Sequence, residues 1–459
     1  MRFEQHYLEC LSHASYLIGD ETTGRAVVVD PQRDISGYLA DAEEYGLTIE
    51  LVIETHFHAD FVSGHLELAA ATGAEIAYSS VAEPEFPHRK IDDGERLSLG
   101  EVLLEFRHTP GHTPESMSVV VWQRADDPEP WAVLTGDTLF IGDVGRPDLL
   151  ASIGFESADL GEMLYDSLHD KLLTLPDSTR VYPAHGAGSA CGKNLSTDLW
   201  STIGDQRATN YALGAPDRET FVALVTEGQP PAPGYFVYDA LLNRQARELL
   251  DETEPPPPMT YDEAMAAVRD GAVLVDGRGD EDFARGHFVG SINIGLGGRY
   301  AEYAGSVVRP DVDIVLVVEP GFELEGKNRL ARIGFDRVVG VLTAPYRAML
   351  EHEDQVARAS RLTAAAFTDR QRSVNGLQVV DVRNPGETES GTVPAAVTIP
   401  AGQLPDRLDE LDPHRPTVVY CASGYRSSMA ASLLRARGFD DVSDLLGGYP
   451  AWLDSVAPA

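Results

Sequence analysis

Four consecutive prolines, Pro255 to Pro258, set the strongest limit on how this chain folds. Each proline fixes its own φ and removes an amide donor, so neither a helix interior nor a central strand can run through the segment. The stretch Asp251-Glu-Thr-Glu-Pro-Pro-Pro-Pro-Met259 therefore reads as an extended connector poor in hydrogen bonds, and a large first domain, residues 1–252, ends there. The whole chain of 459 residues has room for roughly two to four domains, each with its own core.

Beyond the prolines the sequence repeats itself. Val273-Leu-Val-Asp276-Gly-Arg278 and Val379-Val-Asp381-Val-Arg383 are short apolar strands ending in Asp-x-Arg, and each has a glycine eight positions after the arginine, Gly286 and Gly391. A second apolar strand follows in each copy (Asp313–Val318, Pro416–Tyr420), then a helical stretch closing on Gly334-Phe335 or Gly438-Phe439. Strands alternating with helices predict two small α/β domains with mainly parallel sheets, residues 259–358 and 361–459.

Asp and Glu number 73 against 36 Lys and Arg, a formal charge of −37, which argues against nucleic acid as a partner. No apolar run approaches the length of a membrane span, and the N-terminal residues lack a basic segment followed by an apolar one, so a soluble cytoplasmic protein without membrane contact is expected. Three cysteines, Cys10, Cys191 and Cys421, lie far apart and read as thiols in a reducing compartment rather than a disulfide framework.

The first domain carries four motifs in order: Thr55-His56-Phe57-His58-Ala59-Asp60-Phe61, Thr109-Pro-Gly-His112, Thr135-Gly-Asp137 and Tyr182-Pro-Ala-His185. Several follow strand-like runs directly, which puts the chemistry on loops held by a rigid sheet and lets histidines and carboxylates converge on a metal. Nearby, Arg146 reads either as a clamp for an anionic substrate or as a structural ion pair. Cys191 reads either as a sulfur-handling group or as a buried inert thiol.

In the last domain Val418-Val-Tyr-Cys421-Ala-Ser423-Gly424-Tyr-Arg426-Ser places a cysteine between a strand and a helix. Backbone N–H groups and the helix N-terminus can there favour a thiolate and, after reaction, a persulfide anion, which makes Cys421 the candidate nucleophile and Ser423 and Gly424 parts of its binding loop.

Taken together, the four histidine and aspartate motifs resemble the metallo-β-lactamase superfamily over about residues 1–250, which implies a four-layer αββα fold. Most members carry a further histidine where this chain has Phe61, a residue that cannot ligate. The resemblance is then to the persulfide dioxygenase branch. It implies one non-haem Fe(II) at His56, His112 and Asp137, with His58, Asp60 and His185 orienting ligands and water.

The Cys421 segment, with Asp381, Arg383 and Gly447-Gly-Tyr-Pro-Ala-Trp452, resembles a rhodanese domain in which Arg426 steers an anionic acceptor. The middle repeat has Val317 or a neighbour at the cysteine position and reads as an inactive rhodanese-like domain. The implied activity is oxidation of a low-molecular-weight thiol persulfide by O2 to sulfite, with sulfur transfer through Cys421 giving thiosulfate. A homo-oligomer is expected from the retained silent domain. The rival reading is a glyoxalase II-like thioester hydrolase using zinc-bound hydroxide.

Overall fold

The computed structural model describes residues 1–149, 154, 156–229 and 232–457. It divides into two compact units: the first runs to Leu250, apart from Pro233–Tyr235, and the second holds those three residues and the chain from Asp251 onward.

Two six-stranded sheets build unit 1. The first has β1 (Arg2–Leu8), β2 (His13–Asp20), β3 (Arg25–Val29), β4 (Thr48–Ile53), β5 (Glu75–Ser79) and β6 (Arg89–Ile91) side by side in that order. The second runs from β7 (Arg96–Ser98) through β8 (Leu103–His108), β9 (Met117–Trp122), β10 (Ala132–Gly136) and β11 (Arg180–Pro183) to β12 (Ser201–Thr202). Side chains alternate along each strand, so every central strand can feed two cores. Val27, Val29, Leu51 and Ile53 point inward against Leu104, Phe106, Val119 and Leu134 of the other sheet. Their neighbours Ala26, Val28, Ile49 and Val52 face outward onto Tyr38, Ala42 and Leu68 of helices Ser36–Tyr45 and His65–Thr72. On the opposite outer face, Val120, Val133 and Val181 meet Leu164, Leu168, Phe221 and Val225. The layers are αββα.

Unit 2 contains the sequence repeat as a structural one. In the middle repeat, β13 (Pro258–Met259), β14 (Val273–Asp276), β16 (Ile292–Asn293), β17 (Ile314–Val317) and β18 (Val338–Leu342) form a parallel sheet of order β13-β18-β17-β14-β16, and β15 (His287–Phe288) pairs with β19 (Val356–Ala357). The C-terminal repeat has β20 (Ser360–Leu362), β21 (Gln378–Asp381), β22 (Val397–Thr398), β23 (Thr417–Tyr420) and β24 (Val442–Leu445) in the equivalent order β20-β24-β23-β21-β22.

The last proline of the connector opens β13, an edge strand, where a missing N–H costs no ladder bond. The acidic residues before it are held through their backbone: Lys327 Nζ donates to the carbonyls of Asp251, at 2.7 Å, and Glu254, and Asn328 to that of Glu252 at 2.8 Å.

Both Asp-x-Arg turns fold identically. Arg278 grips Asp276 and sends its remaining Nη2 hydrogen to the Gly286 carbonyl at 2.9 Å; Arg383 does the same with Asp381 and Gly391 at 2.7 Å. The recurring spacing of eight residues is thus the reach of one guanidinium. The Asp276–Arg278 pair is 1% exposed or less, so removing the cation strands a buried charge. Arg278→Met should cost unit 2 about 3 to 5 kcal/mol in urea unfolding, and adding Asp276→Asn should recover part of it.

Candidate metal centre and thiol loop

The loops that leave β4, β8, β10 and β11 carry His56, His112, Asp137 and His185. The Nε2 atoms of His56 and His112 lie 3.8 and 3.4 Å from Asp137 Oδ2, and the three ligand atoms fall within 4.8 Å of one another, all buried. The two rings stand at 89° with centroids 5.0 Å apart, so their lone pairs approach one point from different directions.

Each histidine is oriented from behind. His56 Nδ1 lies 3.0 Å from Thr55 Oγ1, whose own proton goes to Asp30 Oδ2 at 2.9 Å. The hydroxyl must then accept from Nδ1–H, which leaves Nε2 as the lone-pair nitrogen. His112 Nδ1 donates to the Arg146 carbonyl at 2.9 Å with the same consequence. Burial holds His56 well below the ordinary imidazole range, with repulsion from His58 and His112 adding to it, and brings His112 down to about 4. Both rings are therefore neutral, as ligation requires. Burial pushes the Asp137 carboxyl up to about 6, with His185 pulling the other way. Among the described residues neither of its oxygens accepts an N–H or O–H hydrogen bond; the Cys191 thiol, a weak donor, is the group that lies nearby. Two lone-pair nitrogens facing a buried, undersupplied carboxylate fit a divalent cation.

His58, Asp60 and His185 form a second group within 4.8 Å. His58 Nε2 is 3.1 Å from Asp30 Oδ1. Burial opposes its charging, yet Asp30, Glu54 and Asp60 draw it up to about 9. Phe61 is 1% exposed and its ring stacks 4.4 Å from His58 and 3.9 Å from His13, filling apolar volume beside this second group.

Cys191 lies inside the centre, within 4.8 Å of Asp137 and His185. Burial and the nearby Asp60 and Asp137 push its thiol well above the usual range, which keeps it protonated. At 2% exposure the Arg146 guanidinium forks onto Asp148 at 2.8 and 2.6 Å and donates to the Ala190 carbonyl at 3.1 Å. Of the two sequence readings these contacts form the structural ion pair, and through it Arg146 braces the loop whose carbonyl orients His112.

Sequence reasoning missed three contributors. Asp30, at the end of β3 with φ of 51°, binds both the amide and hydroxyl of Thr55. Glu54 lies 3.6 Å from both His58 and His65. His13, on β2, packs its ring between Phe61 and the rings of His58 and His185. The position of Asp30, directly after strand β3, was the available signal.

In unit 2, Cys421 follows β23 and is buried, its sulfur accepting the Gly424 N–H at 3.1 Å with Ser427 Oγ 3.5 Å away. Gly424 (φ 125°) turns the chain into helix Tyr425–Ala436. Gly448 lets another loop close behind it: a Cβ there would lie 2.2 Å from the Cys421 carbonyl oxygen. Ser423 is exposed at the loop tip. Arg426 is engaged by Glu387 through both oxygens at 2.6 and 2.7 Å, so its charge is compensated at close range.

Strand register identifies the silent counterpart. Asp276 aligns with Val317 as Asp381 aligns with Tyr420, so Val318 corresponds to Cys421, one residue beyond the count from Gly334-Phe335. Gly321 (φ 96°) then stands where Gly424 does, three residues on. The loop is kept and the thiol is not.

A family model of the metallo-beta-lactamase superfamily matches residues 8–185, and one of the rhodanese-like domain matches residues 363–455. Persulfide dioxygenase ETHE1 of Bos taurus is 32% identical over 221 residues, 48% of this chain and 78% of that protein. A cytoplasmic hydroxyacylglutathione hydrolase of Arabidopsis thaliana is 35% identical over 182 residues, 39% of this chain and 66% of that protein. The crystal structure of a Staphylococcus aureus metallo-beta-lactamase is 32% identical with a TM-score of 0.67, covering 74% of this chain and 98% of its own.

Thr55→Val removes the hydroxyl that fixes His56 while keeping its volume. It should weaken metal binding about 10- to 100-fold in a chelator competition without lowering the yield of folded protein. On sequence, fold and the convergence of strand-end ligands, the chain belongs to the metallo-beta-lactamase superfamily and carries a rhodanese-like domain at its C-terminal end.

Proposed function

We propose that unit 1 is a persulfide dioxygenase using one Fe(II) held by His56, His112 and Asp137, and that Cys421 transfers sulfane sulfur to give thiosulfate. The observation that carries this reading is the buried pair of neutral imidazoles facing the undersupplied Asp137 carboxylate, with Phe61 filling space beside the neighbouring group. Similarity to the bovine persulfide dioxygenase supports it. Two histidines and one carboxylate leave open positions on a ferrous ion, the donor set associated with non-haem oxygen chemistry.

When bound, Fe(II) supplies the one-electron chemistry through which O2 reacts with a persulfide. The protein groups have the remaining tasks. Thr55 and the Arg146 carbonyl hold the two imidazoles in the ligating tautomer. His58, held 3.1 Å from Asp30, is placed to orient ligands and water beside the site. The overall reaction takes a persulfide anion, O2 and water to a thiolate, sulfite and two protons. At the other site the Cys421 thiolate takes the outer sulfur of a second persulfide, releasing its thiol, and sulfite then removes that sulfur as thiosulfate. The Gly424 N–H supports the negative sulfur in both states.

Oxygen consumption and product analysis on a synthetic thiol persulfide test both halves. Asp137→Ala should abolish oxygen uptake. Cys421→Ser should leave uptake within about twofold and replace thiosulfate by sulfite; unchanged thiosulfate would place transfer elsewhere. The similarity to a plant hydroxyacylglutathione hydrolase and the clustering of His58, Asp60 and His185 favour a second reading, thioester hydrolysis at two metals. Turnover of S-lactoylglutathione without oxygen uptake would select it.

A further inference from the structure

The middle repeat has no thiol, yet its helix Tyr300–Val307 packs against the start of the helix that follows the Cys421 loop. The ring of Tyr303 packs 5.3 Å from that of Tyr425, the first residue of the helix behind the Cys421 loop. Tyr425 is itself fixed: its hydroxyl donates to the Gly295 carbonyl at 2.7 Å, and a Cβ on Gly298 would come within 2.6 Å of its ring. Tyr303 is thus held by ring packing, while its hydroxyl makes no hydrogen bond to another described residue. That hydroxyl is close enough to interact electrostatically with the Cys421 sulfur and the Arg426 guanidinium. Burial raises the phenol to about 12, with Arg426 pulling the other way, so the proton stays available for donation at neutral pH.

Charge compensation around the loop makes this donor consequential. Arg426 is occupied by Glu387, and Arg361, 3.6 Å from where a Cβ of Gly424 would sit, is occupied by Asp280 and Asp444 at 2.9 and 3.1 Å. The hydroxyl of Ser427 is committed to the Gly424 carbonyl and that of Ser428 to Asn293. An oxyanion approaching Cys421 in a chain of charge −37 therefore meets compensated cations, and uncommitted neutral donors take on the task of holding it.

We propose that Tyr303 is a substrate-positioning residue whose hydroxyl donates to an S–O oxygen of the anion that exchanges sulfur with Cys421, so that the thiol-free repeat supplies part of the site. This rests on the sulfur-transfer reading of Cys421. In the step, the Cys421 thiolate attacks the outer sulfur of thiosulfate, the new S–S bond forms as the bond to the sulfonate sulfur breaks, and the electron pair leaves with sulfite. The reverse step makes thiosulfate. Tyr303 keeps its proton throughout.

The test is steady-state transfer to cyanide by the full chain, with thiosulfate or a thiol persulfide as donor. Tyr303→Phe keeps the ring packed and deletes the hydroxyl. It should raise KM for thiosulfate about tenfold or more, leave kcat within about twofold, and leave KM for the persulfide, which has no S–O oxygen, unchanged. An unchanged KM for thiosulfate overturns the proposal, and so does an equal loss with both donors, which would mark a structural role. If Cys421→Ser transfers sulfur as well as the wild type, the sulfur-transfer reading itself fails and takes the proposal with it.

Discussion

The carboxylate of Asp137 is buried and, among the described residues, meets two imidazole nitrogens and the Cys191 thiol rather than strong hydrogen-bond donors, and the arrangement of unit 1 around it follows from that demand. A buried anion must be protonated, hydrogen-bonded or paired with a cation. Among the described residues the surroundings supply two neutral imidazoles and one weakly donating thiol, so a cation is the partner that satisfies both imidazoles and the carboxylate. The outer layers serve the same end. Thr55, Asp30 and the Arg146 carbonyl fix ring orientation, and the Asp148 fork on Arg146 fixes that carbonyl in turn. The strands beneath are apolar on both faces, which makes their carboxyl ends rigid places from which to hold ligands.

Unit 2 separates scaffold from chemistry. Both repeats keep the same sheet order, the same buried Asp–Arg pair reaching a glycine carbonyl, and a loop with a left-handed glycine after the third strand in space. The chemical difference is Val318 against Cys421. The two copies are joined by polar contacts rather than by chance packing: Asn293 takes Ser428 and donates to Ser432, and Asp280 takes Arg361. A copy without a thiol can in this way persist as a wall of its neighbour's site.

Much of this was legible in the sequence because the informative features were local. His56, His112, Asp137 and His185 each follow a strand closely, and the strands are apolar runs that announce themselves. The equal spacing from Arg278 to Gly286 and from Arg383 to Gly391 reported a contact directly. What escaped depended on distant partners. Glu387 lies 39 residues from Arg426, and nothing in either segment says they meet. Arg146 has its carboxylate two residues away, but whether that fork forms depends on burial. Phe61 was readable as a missing ligand, whereas its stacking on His13, from a different strand, was not. Counting placed Val317 opposite Cys421 because the middle helix, Glu323–Ala331, is shorter than Tyr425–Ala436; the register moves the match to Val318.

The acidic balance, −37 over the chain, is a condition the sites work against. The basic groups beside both sites face carboxylates at close range, His58 facing Asp30 and Arg426 facing Glu387, so under the proposed function selectivity for sulfur anions would fall to short-range donors rather than to a long-range field. The proposed oxygen chemistry rests on one cation at His56, His112 and Asp137. Metal analysis of the anaerobically purified full chain tests this directly. The account predicts one iron per chain, lost in His112→Ala; two zinc ions per chain, retained in that variant, would contradict it.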